Sequence, residues 1–136
     1  MAQPPTPTER EMEILKILWQ RGEATVREVH TEMSRRLPIV QNTVQAFLRT
    51  MEEKGLVRHR VEGRTFIYRP VPERDETHRR LAQRLLEGAF DGAIDQLVQS
   101  VFALRPPTTG ELEELERLIE EARSRKKSSR QPKGTK

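Results

Sequence analysis

The chain has 136 residues, enough for one domain or for a small domain with an appendage. It contains no cysteine, which excludes disulfides, thiolate metal sites and cysteine nucleophiles, and it has no apolar run long enough to span a membrane. Its net charge of +4 is uneven, because residues 1–72 carry +3, residues 73–122 carry −6 and residues 123–136 carry +7. With no signal peptide at the start, we expect a cytoplasmic protein without a membrane segment.

Two helices are predicted after a proline-rich leader. We expect the leader, residues 1–7, to be disordered. The segment Thr8 to Glu11 has the spacing of a capping box and begins a first helix that ends at Gly22. The segment Thr25 to Glu28 repeats that spacing for a second helix, which Pro38 ends.

A third helix is predicted from about residues 40–42 to Gly55, and its two faces differ in chemistry. One face is apolar at helical spacing. The other is polar, with no carboxylate before Glu52, and such side chains can read base edges in the major groove of DNA. The candidate DNA-contacting residues of this helix are Gln41, Asn42, Thr43, Gln45, Ala46 and Arg49.

A β-hairpin is predicted next, with strands over residues 56–61 and 65–69 and a turn at Glu62-Gly63-Arg64. Three helices followed by a hairpin are typical of a winged helix-turn-helix, here predicted for residues 8–72. The hairpin is then the wing. Its candidate contacts to the DNA backbone are Arg58, Arg60 and Arg64. Contacts to the backbone position a protein on DNA without reading the base sequence.

The acidic region, residues 73–122, predicts further helices: a long apolar-striped segment interrupted at Gly88 and Gly92, and a last helix after a capping box at Thr108 to Glu111. Its apolar residues exceed what two isolated helices can bury, so we expect a homodimer; the alternative is that they fold back on the same chain. The candidate dimerisation residues are Leu81, Leu85, Leu86, Ala89, Phe90, Ile94, Leu97, Val101, Leu112, Leu115 and Ile119. The basic tail, residues 123–136, is predicted to be disordered. The predicted fold class is therefore mainly α with a small β-hairpin.

Three stretches carry a resemblance to a known family: TEREMEILKILWQRGEATVREV, NTVQAFLRTMEEKGLV and EGRTFIYRPV. They resemble the penicillinase-repressor family of bacterial transcription factors, the BlaI/MecI/CopY type. The resemblance implies a dimeric repressor whose winged helix binds a palindromic operator in double-stranded DNA and whose C-terminal helices join two subunits. It also places Asn42, Thr43, Gln45, Ala46 and Arg49 on the base-reading helix, and Arg60, Gly63 and Arg64 on the wing.

The sequence departs from this family at two points. Antibiotic-responsive members are cut at an Asn-Phe bond in the dimerisation region, where this chain reads Ser100-Val101-Phe102. Copper-responsive members carry a cysteine-rich metal site, which a chain without cysteine cannot form. The operator, the target genes, the inducing signal and any upstream sensor or protease therefore stay open.

Two other functions compete with a sequence-specific repressor. One is a winged helix used for protein-protein assembly, with nonspecific nucleic-acid affinity from the basic tail. The other is an enzyme, which we do not expect, because His30, His59 and His78 lack the spacing of a metal site and no nucleophile motif or phosphate loop is present. We expect no metal or cofactor.

His59, between two arginines, either becomes charged on a phosphate or is an inert surface side chain.

Overall fold

A computed structural model of the chain describes residues 6–134, and the side chains of residues 6–128. The predicted disorder of residues 1–7 falls mostly outside this range. In chain order the elements are α1 (Glu9–Arg21), β1 (Ala24–Thr25), α2 (Val26–Ser34), α3 (Gln41–Lys54), β2 (Val57–Glu62), β3 (Thr65–Pro70), α4 (Arg74–Ala89), α5 (Ile94–Leu104) and α6 (Thr109–Gly134). They form two compact units, residues 1–89 and 90–136.

Helices α1, α2 and α3 surround the core of the first unit. Both predicted capping boxes are present, at Thr8 with Glu11 and at Thr25 with Glu28, so each helix begins where its sequence indicates. The apolar stripes of the three helices then meet under the sheet. The buried core consists of Ile14, Leu15, Ile17, Leu18, Ala24, Val29, Met33, Val44, Leu48, Met51, Leu56, Val57 and Tyr68.

The sheet has three antiparallel strands in the order β1-β3-β2, one more than the sequence predicts. The hairpin pairs Glu62 with Thr65, so its loop has two residues, Gly63 and Arg64. The additional strand is only two residues long and pairs Ala24 with Tyr68. It escaped prediction because two residues are too short to show an alternating pattern.

Helix α4 begins within the first unit, and the chain just before it is hydrogen-bonded to α1. The indole Nε1 of Trp19 donates a hydrogen bond to the Pro72 carbonyl oxygen at 3.0 Å. Thr77 is buried and its hydroxyl donates to the Glu73 carbonyl oxygen at 3.0 Å. The first compact unit accordingly runs to Ala89 instead of ending near residue 72.

Helices α5 and α6 make up the second unit, and the chain turns sharply before α5. Asp91 and Gly92 have φ angles of 50° and 82°, left-handed values that end α4 and allow α5 to begin at Ile94. The glycine interruption that the sequence predicts is therefore a break between two helices. After α5, the third predicted capping box is also present, with Thr108 and Glu111 bonded reciprocally at 3.0 and 3.1 Å.

The prediction of a disordered tail from residue 123 is wrong over the described residues, because α6 continues to Gly134. Extending a helix costs far less than starting one, and α6 is already established over residues 109–122. The residues that follow include several arginines and lysines, which are strong helix formers. The prediction failed because an established helix can continue through residues that lack apolar periodicity.

Among residues 6–134, no helix is long and apolar enough to cross a membrane. Within the same range, no group of three or more histidine, cysteine, aspartate or glutamate side chains is placed to hold a metal ion.

Candidate nucleic-acid interface

The connection between α2 and α3 is held by a histidine. The Nε2 atom of His30 on α2 lies 2.8 Å from the Ile39 carbonyl oxygen and 3.0 Å from the Ser34 hydroxyl. This contact fixes the loop just before α3, and hence the angle at which α3 leaves the turn. This role was not predictable, since a carbonyl partner nine residues away follows no sequence pattern.

Helix α3 presents a continuous exposed face. The six predicted residues of this helix, Gln41, Asn42, Thr43, Gln45, Ala46 and Arg49, are all exposed. Val44, Leu48 and Met51 on the other side are buried in the core, so the helix cannot rotate without exposing them. The structure therefore brings the predicted α3 residues together on one rigid surface.

The electrostatic character of this surface suits an anion. Helix α3 begins at Val40 with no side-chain cap and no acidic residue in its first turn. The N–H group of Thr43 already donates to the Val40 carbonyl oxygen at 3.1 Å, which leaves the N–H groups of Gln41 and Asn42 and the positive end of the dipole for another acceptor. Arg49 forms no ion pair among the described residues.

The wing places its three predicted arginines differently. Arg64 lies in the two-residue loop at the tip, is exposed and makes no ion pair among the described side chains. Side chains alternate between the faces of a strand. His59 bonds to Glu52 of α3, so its neighbours Arg58 and Arg60 point to the opposite face of the hairpin.

Arg60 is already engaged within the protein. Its guanidinium bonds to Glu23 at 2.8 Å and to Glu62 at 3.3 Å. These bonds raise the pKa of Arg60 above its ordinary value. Sequence reasoning missed Glu23 as a partner, because it lies 37 residues away in the chain. Of the three wing arginines, Arg58 and Arg64 form no ion pair among the described residues, so both are placed more freely for a phosphate than Arg60.

His59 connects the wing to α3. Its Nδ1 lies 2.7 Å from Glu52 Oε1 and 2.9 Å from Glu52 Oε2, and its ring stacks on Phe66 with centroids 4.1 Å apart. Tyr68 is 5.5 Å away on the same face. Neither predicted role for His59, a phosphate contact or an inert surface residue, matches this position. The histidine instead couples the orientation of the wing to the end of α3.

A fourth arginine of the wing was missed by sequence reasoning. Arg69 lies directly opposite Arg58 in the register of β2 and β3, and both are exposed. Like charges directly opposite each other destabilise a strand pair, and an anion between them removes that cost. Only the register reveals this pair, because the two residues are eleven positions apart in the sequence.

The second unit carries a different surface, which is apolar. No residue of α5 is buried, although the helix reads IDQLVQSVFAL. Between α5 and α6 lies an open groove of about 530 Å³. Of the predicted dimerisation residues in this unit, Ile94, Val101, Leu112 and Ile119 are exposed, while Phe90, Leu97 and Leu115 are half-buried. Four large exposed apolar residues were missing from the prediction: Val98, Phe102, Leu104 and Leu118.

The remaining four predicted dimerisation residues lie on α4, in the first unit. Leu85 and Ala89 are exposed, and Leu81 and Leu86 are half-buried.

The penicillinase-repressor family profile matches residues 7–121 of the chain. The chain belongs to the penicillinase-repressor family. As a member of this family, the protein is a DNA-binding transcriptional repressor. The match covers both units, so the winged helix and the helices that follow it belong to one family architecture.

One relative of the chain is the penicillinase repressor of Bacillus licheniformis. The two are 26% identical over 123 residues, which cover 90% of this chain and 96% of the relative. Among solved structures, the DNA-binding domain of the repressor BlaI is 29% identical and matches 56% of this chain and 93% of its own, with a TM-score of 0.49. A possible transcriptional regulator for arsenical resistance is 26% identical, with 66% and 84% covered and a TM-score of 0.50.

Proposed function

We propose that this repressor works as a homodimer that binds a palindromic operator in double-stranded DNA. In this proposal residues 8–72 bind DNA, and residues 73–122 join the two copies. The observation that carries the proposal is the exposed face of α3, which is polar, carries no carboxylate before Glu52 and is held rigidly by the core beneath it. Occupation of a promoter by the dimer then competes with RNA polymerase.

The α3 face supplies the groups that base reading requires. Asn42 and Gln45 carry amides, which can pair bidentately with adenine, and Arg49 carries a guanidinium, which suits guanine or a phosphate. Thr43 can bond a phosphate or contact a thymine methyl. Gln41 and Ala46 complete the surface that lies against the groove.

The wing supplies contacts to the backbone. Arg64 at its tip carries a free guanidinium, and Arg58 with Arg69 forms a pair of adjacent cations. Such contacts fix the position of the protein on DNA and release counterions, so binding is expected to weaken steeply with salt. Arg60 contributes less, because Glu23 and Glu62 already neutralise it.

The exposed apolar residues support the dimer. A single winged helix buries only about 600–1,000 Å² on DNA, so specific affinity usually needs two copies. Helix α5 has no buried residue in one copy, and the groove beside it is lined by Leu97, Val101 and Leu115. A second copy of the same chain can cover this surface and align two α3 helices with the two halves of a palindrome.

The recognition step is tested by selecting bound duplexes from a random DNA pool and sequencing them. We expect a palindromic motif with half-sites about one helical turn apart. On the selected site, Arg49→Ala should relax the preference at one position of each half-site by about 1–3 kcal/mol, whereas Arg64→Ala should weaken all duplexes about equally. Recovery of DNA without a motif would favour the assembly-module alternative.

The dimer is tested by placing a charge on α5. We expect Val101→Glu to shift the protein from dimer to monomer in sedimentation equilibrium, because Val101 is half exposed in one copy and lies in the apolar groove. Gln99→Glu adds the same charge to a polar, exposed position of the same helix and should leave the dimer intact. Equal behaviour of the two variants would place the interface elsewhere.

A further inference from the structure

One face of the wing carries an exposed apolar pair. We call it the wing pair, and it consists of Val61 on β2 and Phe66 on β3, which lie directly opposite each other in the register of the hairpin. Val61 is 56% exposed and Phe66 is 44% exposed. Contact between apolar surface and water is unfavourable, so a partner that covers both side chains gains free energy by removing that contact.

The wing pair lies on the face of the hairpin that contacts α3. Side chains alternate along β2, so Val61 points to the same face as His59, two residues before it. The Phe66 ring stacks on the His59 ring, with centroids 4.1 Å apart and an angle of 11° between the planes. His59 is in turn bonded to Glu52 of α3 at 2.7 Å. The exposed ring of Phe66 is therefore held in a defined orientation beside α3.

Stability of the hairpin explains the pairing of these residues but not their exposure. A β-branched residue and an aromatic residue directly opposite each other stabilise a strand pair. Tyr68, on the same face of β3 two residues after Phe66, is only 4% exposed and belongs to the core. The apolar face of the wing therefore continues outward from the core, past the point where the protein itself covers it.

The surroundings of the wing pair suit a polyanion. Arg64, at the tip of the hairpin, is exposed and makes no ion pair among the described side chains. Glu62, next to Val61, points to the opposite face and bonds to Arg60 at 3.3 Å. An apolar strip beside a cation, with the neighbouring carboxylate turned away, complements a groove of DNA, where phosphates form the rims and deoxyribose rings line the walls.

We propose that Val61 and Phe66 lie against the deoxyribose rings of the minor groove, next to the major groove that α3 occupies. This contact rests on the proposed function, in which α3 and the wing both bind double-stranded DNA, and it deepens that function by adding a contact without charge. Proteins that enter the minor groove use apolar side chains, phenylalanine among them. Because the wing pair contacts no phosphate, it releases no counterion, and it raises affinity by a factor that salt does not change.

The test measures binding of the full-length protein to a random-sequence duplex at several salt concentrations. Val61→Thr keeps the β-branched shape that strands favour and replaces one methyl group by a hydroxyl. Phe66→Gln removes the aromatic ring. From the apolar surface that DNA would cover, we expect affinity to fall about threefold in Val61→Thr and roughly threefold to tenfold in Phe66→Gln for each bound chain. The slope of log Kobs against log salt should stay that of the parent.

Two further variants serve as controls. Val71→Thr is matched to Val61→Thr, because Val71 is a valine of the same unit that is 43% exposed and lies after the hairpin. We expect it to bind like the parent. Phe66→Leu loses the stacking on His59 but keeps an apolar side chain, so we expect it to retain most of the parental affinity. Circular dichroism verifies that each variant keeps the fold.

Three results would overturn the proposal. The first is parental affinity in Val61→Thr and Phe66→Gln, or an equal loss in Val71→Thr. The second is a slope that becomes shallower by one phosphate contact or more, since the loss would then come from displaced phosphate contacts. The third is a loss in Phe66→Leu as large as that in Phe66→Gln, because Phe66 would then act only by positioning the wing through His59.

The outcome is distinguishable from that of the proposed function. Binding to a random-sequence duplex requires no palindrome, so a selection that yields no motif leaves the losses in Val61→Thr and Phe66→Gln measurable. If instead the wing pair makes no contact with DNA, these two variants bind like the parent, while Arg49→Ala still relaxes the preference at one position of each half-site.

Discussion

Glu11 is a buried carboxylate whose contacts hold two helices of the DNA-binding unit together. Its side chain is 3% exposed, and its Oε2 accepts a hydrogen bond from Lys54 Nζ at 2.8 Å. Its Oε1 accepts from the Thr8 backbone N–H at 3.0 Å, which completes the capping box of α1. The start of α1 is thereby tied to the end of α3. We expect Glu11→Gln to weaken this connection while preserving the shape of the side chain.

The expected magnitude follows from which contacts each substitution removes. A glutamine can still accept from Thr8, so Glu11→Gln removes mainly the charge opposite Lys54. A hydrogen bond between charged groups contributes about 1.5–3 kcal/mol. Lys54 is 32% exposed and can regain water, which keeps the loss below the value for a fully buried pair. We therefore expect a loss of about 1.5–3 kcal/mol, and about 1 kcal/mol more for Glu11→Ala, which also loses the cap.

The loss should also depend on pH. Burial raises the pKa of Glu11, but the bonds from Lys54 and Thr8 outweigh burial, so the pKa lies below its usual 4.5. A lowered pKa in the folded state stabilises the protein above the pKa of the unfolded chain, and this stabilisation is lost as the pH falls through the folded pKa. The difference between the parent and Glu11→Gln should be full at pH 7 and should shrink below about pH 4.5.

Urea denaturation followed by circular dichroism, at one fixed protein concentration, measures these losses. Glu13→Gln is the control, because Glu13 lies on the same helix and, among the residues that the structure describes, forms an ion pair only with Arg10, at 3.2 Å on the surface. We expect the control to lose less than about 0.5 kcal/mol. If Glu11→Gln behaves like Glu13→Gln, or if its loss is independent of pH, the tie between α1 and α3 does not stabilise the fold.

Three further substitutions test other contacts. Trp19→Phe removes the hydrogen bond to the Pro72 carbonyl and should cost about 0.5–1.5 kcal/mol in the same denaturation experiment, with the midpoint shifted and the slope unchanged. Gly55→Ala should cost about 1–2 kcal/mol, because residue 55 ends α3 with a left-handed φ of 87°. Arg60→Gln should change the salt dependence of DNA binding by less than one phosphate contact, since Glu23 already holds its guanidinium. A change of one contact or more would show that the ion pair between Arg60 and Glu23 opens on DNA.

Much of the first unit was predictable because its signals are local. Capping boxes at Thr8 and Thr25, the apolar stripe of α3 and the turn at Gly63 each lie within a few residues of sequence, and each proved correct in the structure. The break at Asp91 was only partly predictable. Gly92 marks an interruption in the sequence, but whether the helix bends or ends there depends on backbone angles that its composition does not specify.

The exposure of the α3 candidates was predictable from the sequence, and the contacts of the wing residues were not. Helical periodicity places Asn42, Gln45 and Arg49 on one face, and the structure leaves all three exposed. Periodicity could not find the partners of the wing residues. The contacts of Arg60 with Glu23 and of His59 with Glu52 join segments that approach each other only after folding.

The sequence by itself determined the type and order of most elements, the family and the polar character of α3, because capping, turn chemistry and amphipathic spacing act between residues close in the chain. The tertiary structure decided which cations remain available. Arg64 is left for an anion at the tip of the hairpin, whereas Arg60 is neutralised by Glu23. That difference depends on distances between residues far apart in sequence, and only the packed fold brings such residues within the few ångströms over which an ion pair forms.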